Sequence, residues 1–230
     1  MQNGQVLVAG GETATAELFN PSTHAFTATG SMTISRTGHT ATLLPDGRVL
    51  IAGGVQDFGP GTVPIPIGPG IASAEIYDPA SGSFTLTGSM STGRSGHAAA
   101  LLPDGTVLVT GTDTTGELFV PTTGTFSALG ATSTGLAATA TARNDGTVLV
   151  AGGRFRSSTS AATLFAPECL GFVATGPLRT ARDGHTATLL LDGSVLVAGG
   201  IQRTYLCVVR GYTRICSTHA TTLTSAEVFR

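Results

Sequence analysis

The stretch Arg36-Thr37-Gly38-His39-Thr40-Ala41-Thr42-Leu43-Leu44-Pro45-Asp46-Gly47-Arg48-Val49-Leu50-Ile51-Ala52-Gly53-Gly54 decides the fold. Two short runs suited to β-strands, His39–Leu44 and Arg48–Ala52, flank Asp46-Gly47. Asp-Gly between such runs is a strong hairpin signal, because the turn needs positive φ. After Arg48 the second run is apolar, as a strand buried on both faces would be, and a glycine doublet closes it. The same unit recurs along the chain. Its turn glycine falls at Gly4, Gly47, Gly105, Gly146 and Gly193, at intervals of 43, 58, 41 and 47 residues. A period of this size marks a repeat architecture.

Each unit reads as four short strands. The first is a small-residue run at His39–Leu44, His97–Leu102, Thr139–Arg143 and His185–Leu190. The second is Gln5–Ala9, Arg48–Ala52, Thr106–Val109, Thr147–Ala151 and Ser194–Ala198. The third ends on an aromatic, at Ala16–Phe19, Ala74–Tyr77, Gly116–Phe119, Ala162–Phe165 and Ser225–Phe229. The fourth is centred on Phe26, Phe84, Phe126 and Phe172. No long window carries the 3.6-residue apolar period of a helix. Four-stranded units that cannot bury their own faces stack as the blades of an all-β propeller. The first unit lacks its first strand and the last lacks its fourth.

These hallmarks resemble the kelch repeat over nearly the whole chain. The glycine doublets are Gly10-Gly11, Gly53-Gly54, Gly152-Gly153 and Gly199-Gly200, and the third unit departs with Thr110-Gly111. Phenylalanine stands in the fourth strand where kelch repeats usually carry tryptophan, as in bacterial kelch proteins and galactose-oxidase-like propellers. The expected fold is a single kelch-type β-propeller of five repeats, at approximately 1–33, 34–91, 92–133, 134–179 and 180–230. Kelch-like propellers close by donating a strand from one terminus, and the expected donor after Arg230 is missing. The chain therefore reads either as a five-bladed ring that tolerates two incomplete blades or as a piece of a six- or seven-bladed parent, the second with unpaired strand edges open to self-association.

Composition narrows the function. Of 230 residues, 11% are charged, the net charge is −2, and every one of the twelve basic residues is arginine. That balance excludes a nucleic-acid binder working by charge. No apolar run reaches membrane-spanning length, and Met1–Gly4 opens no signal peptide.

The candidate site residues lie in the repeats. Arg36, Arg94 and Arg182 each stand in Arg-x-Gly-His. By the kelch resemblance they open the innermost strand, where converging guanidinium groups would clamp a carboxylate or phosphate. The competing reading pairs them with the recurring glutamates Glu17, Glu75, Glu117 and Glu227. The fourth unit lacks both partners, with Leu136 and Thr163 instead. His39, His97 and His185 recur at one position in separate blades, which suits a structural histidine and not a metal site. The insertions at 55–71, with a Pro/Gly-rich core, and 201–223 fall on one face, where binding loops sit on a rigid scaffold. In the second insertion a hairpin whose paired numbers sum to 423 sets Cys207 opposite Cys216, within disulfide range. Cys169 is then a lone thiol, expected to be buried. Tyr205, Cys207, Tyr212, Cys216 and His219 echo the copper ligand types of galactose-oxidase-like proteins, without matching them residue by residue.

The reading is a non-catalytic binding module for a protein, acidic peptide or glycan, with no catalytic residues, metal or cofactor of its own. The alternative is the propeller domain of a secreted carbohydrate-active or copper-radical oxidase whose catalytic residues lie outside this segment. The lysine-free, Thr/Ser/Gly/Ala-rich composition and the cysteine pair point to an extracellular bacterial protein.

Overall fold

A computed structural model describes residues 1–11, 13–56, 70–210 and 213–230. The polyproline reading of 59–70 thus lies almost wholly outside the described residues, as does the Gly211-Tyr212 turn. Among the described residues there are twenty strands and one short 3-10 turn. The chain is all-β, a five-bladed β-propeller.

The first blade is β1 (Val6–Ala9), β2 (Ala16–Asn20) and β3 (Ala25–Ala28). The second is β4 (Thr40–Leu43), β5 (Val49–Ala52), β6 (Ala74–Asp78) and β7 (Ser83–Leu86). The third is β8 (Ala98–Leu101), β9 (Val107–Thr110), β10 (Thr115–Val120) and β11 (Thr125–Ala131). The fourth is β12 (Thr139–Ala142), β13 (Val148–Ala151), β14 (Ala162–Ala166) and β15 (Gly171–Ala174). The fifth holds β16 (Thr186–Leu189), β17 (Val195–Ala198) and β20 (Ala226–Phe229). The insertion between β17 and β20 forms its own two-stranded sheet, β18 (Ile201–Arg210) with β19 (Thr213–Thr222). Two compact units divide the chain, residues 1–108 with 117–128 and residues 109–116 with 129–230.

Turn chemistry fixes the register within each blade. Gly47 donates its N–H to the Leu44 carbonyl at 3.0 Å with φ +90°, and the Asp46 carboxylate accepts the Arg48 N–H at 3.0 Å. Asp104, Asp145 and Asp192 accept from Thr106, Thr147 and Ser194 in the same way. Burial sets which strand is central. Val49, Leu50, Ile51 and Ala52 are all buried, as are Val107–Thr110 and Val148–Ala151. At the outer edge, paired rings tilt against each other at centroid distances of 4.9 Å (Phe19–Phe26), 4.8 Å (Tyr77–Phe84), 4.8 Å (Phe119–Phe126) and 5.4 Å (Phe165–Phe172). Such tilted pairs add to simple area burial. Among the described residues Phe229 has no such phenyl partner and sits instead under the Arg143 guanidinium at 5.8 Å.

Within each unit, adjacent blades meet through the glycine doublets. The second glycine donates its N–H to the carbonyl of the next blade's arginine, Gly11 to Arg36 at 2.9 Å, Gly54 to Arg94 at 2.7 Å and Gly153 to Arg182 at 2.8 Å. The first glycine lies under the next blade's histidine. A Cβ on Gly53 would stand 2.6 Å from the Arg94 carbonyl oxygen and 2.7 Å from His97 Cε1, and Gly10 and Gly152 are crowded alike by His39 and His185. The departure at Thr110 now has a reason. The next blade carries Ala138 in place of histidine, so a side chain fits, and Thr110 keeps the negative φ of a strand.

Gly53→Ala is therefore expected to destabilise the chain by about 2 kcal/mol or more, since it adds both a clash and a Cβ at φ +67°. Thermal unfolding measures this, and adding His97→Ala should recover part of the loss.

Candidate functional site

Arg36, Arg94 and Arg182 are each 0% exposed. Arg36 donates from Nε and Nη2 to Glu75 Oε1 at 3.3 and 3.0 Å, and from Nη1 to the carbonyls of Gly53 and Ser73 at 2.9 Å each. Arg94 meets Glu117 Oε1 at 3.3 and 3.1 Å. Arg182 meets Glu227 Oε1 at 2.8 Å and the Gly199 carbonyl at 2.7 Å. The three arginines are thus internal ion pairs within their own blades, and their buried guanidinium groups do not form the ligand clamp expected of them. Each glutamate is further held by backbone donors, Thr33 N–H to Glu75 and Ser91 N–H to Glu117 at 2.8 Å each. Burial pushes the Glu227 pKa up, but the Arg179 and Thr180 N–H groups and the Arg182 guanidinium outweigh it and hold the carboxyl below its usual range. In the fourth blade, neutral hydroxyls fill the place of the ion pair, with Thr132 Oγ1 3.0 Å from Thr134 Oγ1 and 3.4 Å from Thr163 Oγ1. Glu17, named with the other glutamates, is exposed and has no ion pair among the described residues.

The histidines are junction residues as well. His97 Nε2 lies 2.9 Å from Thr40 Oγ1, and His185 Nε2 lies 2.9 Å from Thr139 Oγ1, each threonine belonging to the preceding blade. Burial, then the charge of Arg94 and then that of His39, lowers His97 to about 3. Burial, then Arg182, lowers His185 to about 4, against an upward pull from Asp183.

A different cluster gathers on the β17–β20 side of the fifth blade, where the hairpin leaves the sheet. Asp183 stands at the variable position of Arg-x-Gly-His, where the other copies hold Thr37 and Ser95. Its side chain is 3% exposed, and its Oδ1 accepts from Arg154 Nη1 at 3.4 Å and Arg203 Nε at 3.3 Å. Ser158 donates its hydroxyl to Asp183 Oδ2 at 2.6 Å and accepts the Arg203 N–H at 2.8 Å. Ser157 accepts the Tyr205 N–H at 2.9 Å, and Arg156 lies over the Tyr205 ring at 5.7 Å. The hairpin base is thereby tied to the Arg154–Ser158 connection of the fourth blade. Arg154 and Arg203 remain 30% and 28% exposed. Two cations on one buried carboxylate leave an excess of positive charge facing outward, and Arg156 adds to it.

Along the hairpin, Cys207 pairs with Cys216 at a Cα separation of 4.0 Å, with the sulfurs joined at 2.12 Å. Alternation puts Arg203, Tyr205 and Cys207 on one face and Thr204 and His219 on the other. Tyr205, Cys207 and His219 therefore do not converge, and with Cys207 bound to Cys216 they do not fit a copper centre. Cys169 departs from the expected burial. Pro167 starts the 3-10 turn Pro167–Cys169, which carries the thiol outward, and Cys169 is exposed.

Sequence reasoning marked the 201–223 insertion but missed Arg154, Arg156, Asp183 and Arg203. The available signal was two arginines and two serines directly after Gly152-Gly153, in a chain where charge is scarce.

No family model matches the chain, and no curated protein does either. Solved structures do. One is titled "Structure of YjhT", with a TM-score of 0.68 and 15% identity over 94% of this chain and 81% of that one. Another is a fungal alcohol oxidase of the AA5 family in complex with copper, with a TM-score of 0.70 and 19% identity. That match covers 99% of this chain and 52% of the oxidase, so this chain spans about half of its length. The chain shares the fold of the kelch-type and galactose-oxidase-like propellers.

Two outcomes follow from the buried groups. Arg94→Met strands the Glu117 carboxylate and is expected to cost about 3–5 kcal/mol, whereas Arg94→Met with Glu117→Leu should cost less, because the fourth blade folds without the pair; urea titration reads both. The histidine sign is also fixed. Above the ordinary value of 6.5 both states are neutral; below it the unfolded chain takes up protons that folded His97 and His185 refuse until about pH 3–4. Stability is thus full above pH 6.5 and falls toward pH 4, by about 1.4 kcal/mol per pH unit for each linked proton. His97→Asn with His185→Asn should flatten that slope.

Proposed function

We propose that this chain is a non-catalytic binding module that presents the hairpin of its fifth blade to an acidic protein, peptide or glycan. The observation that carries the reading is the shared carboxylate of Asp183. It anchors Arg154 and Arg203 in fixed positions while leaving both about 30% exposed. Held, half-desolvated guanidinium groups bind carboxylates and phosphates better than freely solvated ones, because less side-chain entropy is lost. Tyr205, stacked under Arg156, supplies an amphipathic ring of the kind common at interfaces. The disulfide stiffens the hairpin and suits an extracellular setting. A second reading rests on the copper oxidase that this chain matches over about half that protein's length: a propeller domain whose reaction chemistry lies outside this segment.

The experiment is an acidic-peptide and glycan array probed with this chain and with Arg154→Ser/Arg203→Ser. Ligands bound by the parent should be lost by the variant and weakened by salt. Equal signals from both proteins, with the variant folded by circular dichroism, would remove the hairpin arginines from recognition.

A further inference from the structure

The hairpin inserted in the fifth blade is a sheet of its own, β18 with β19, so its outer edge is not the edge of a blade. The two strands differ in how they meet the scaffold. Ile201 in β18 exchanges main-chain bonds with Asp183 at 2.9 and 3.0 Å, and the Arg203 carbonyl accepts the Ser158 N–H at 2.9 Å. The Arg203 and Tyr205 N–H groups donate to the hydroxyls of Ser158 and Ser157. In β19, by contrast, every residue from Cys216 to Thr222 is exposed.

The β18 bonds fix the parity of the ladder. Ile201, Arg203 and Tyr205 turn their main-chain groups away from β19, so by alternation Gln202, Thr204 and Leu206 bond Thr221, His219 and Ser217. The N–H and C=O groups of Cys216, Thr218, Ala220 and Thr222 therefore point to the outer edge, and no main-chain partner meets them there among the described residues. The register runs unbroken from Ile201–Thr222 to Cys207–Cys216, where the disulfide locks it, so no bulge interrupts this row. Chains blunt such edges by shortness, charge or proline. The outer strands of the blades are short, four residues in β3, β7 and β15 and seven in β11. β19 has ten, and residues 216–222 include no Asp, Glu, Lys, Arg or Pro.

We propose that this edge pairs with the same edge of a second copy of the chain, antiparallel about a twofold axis through Thr218, so that two hairpins form one four-stranded sheet. The side chains beside the edge, Ser217, Thr218, Ala220 and Thr221, are too small to wall a pocket that would select the side chains of a foreign peptide. An identical strand matches the row by symmetry, with Thr218 opposite Thr218 and Cys216 opposite Ala220. An axis through His219 would set two imidazoles against each other, whereas the Thr218 axis sets His219 opposite Ser217. Charge permits the pairing, because Arg203 lies in β18, away from the shared edge. The two copies of Arg203 are three strand spacings apart, about 14 Å, which exceeds the ~8 Å screening length. The association stops at two, since the other edge of each hairpin is taken by Asp183, Ser157 and Ser158. A two-stranded ribbon is marginal alone, and two further strands stabilise it. One central strand pair is a small interface, so the dimer forms at micromolar concentrations or above. The pairing does not depend on what Arg154 and Arg203 bind.

Sedimentation velocity over a wide concentration range is expected to show a reversible monomer–dimer equilibrium. Thr218→Pro removes an edge N–H that the hairpin itself does not use. It should weaken the dimer at least about tenfold, with circular dichroism and the disulfide as in the parent, and Ala220→Pro should act alike. Thr218→Val keeps the N–H and should dimerise within about threefold of the parent. Amide hydrogen exchange of the parent reads the edge without any substitution. Thr218 and Ala220 should gain protection as concentration rises, while Ser217 and His219 are protected throughout. A monomer at every concentration, a dimer that survives both prolines, or a loss with valine equal to that with proline would overturn the proposal. So would exchange at Thr218 and Ala220 that concentration does not slow.

Discussion

A guanidinium group taken out of water must find a carboxylate and fill its remaining donors, or the fold that buries it is lost. Arg36, Arg94 and Arg182 meet that demand inside their own blades, on Glu75, Glu117 and Glu227 and on carbonyls of the neighbouring strands. The same residues offer their main-chain carbonyls to the glycine doublet of the blade before. One residue per blade therefore sets both the internal geometry of a sheet and its seam with the previous one. The tight seam then dictates what stands opposite: a glycine with positive φ, because a histidine ring fills the space a Cβ would need. Ion pair, histidine and glycine are one constraint seen from three places.

This coupling explains why the substitutions come in groups. The register of β12 on β13 puts Gly135, and not Leu136 as the sequence suggested, at the arginine's place, so the fourth blade lacks the arginine (Gly135), the histidine (Ala138) and the glutamate (Thr163). The third blade, facing it, has Thr110 where glycine is otherwise required and Ala98 where threonine is otherwise paired. Each of these changes alone would leave a buried charge, a cavity or a clash. Together they remove the histidine and the glycine from the seam at once, while hydroxyl contacts among Thr132, Thr134 and Thr163 fill the place of the ion pair within the fourth blade.

The repeat was legible because its physics is local. Asp-Gly turns, strand alternation and the aromatic at the end of each third strand need no knowledge of the rest of the chain, and the hairpin register followed from a turn and alternation alone. The fate of the arginines was not local. Arg-x-Gly-His says that a cation recurs, but whether it points to a ligand or to Glu75 depends on a strand 39 residues away. The Asp183 cluster was harder still, for it joins a position in one blade, a connection in the previous blade and the base of an insertion. Cys169 misled for a simpler reason: cysteine is usually buried, and the turn started by Pro167 overrides that tendency.

The site and the scaffold differ in one residue. Thr37 and Ser95 occupy the position after the latch arginine in two blades, and each leaves that seam without charge. Asp183 at the same position adds a buried carboxylate beside a guanidinium that Glu227 already satisfies. That extra carboxylate has to draw its cations from elsewhere, and Arg154 and Arg203 are what it draws. A hairpin long enough to bring Arg203 and a connection bearing Arg154 are therefore conditions for Asp183 to exist where it does. The insertion is fastened to the blade through the charge that it satisfies, and its outward face inherits two arginines held in place by a scaffold residue.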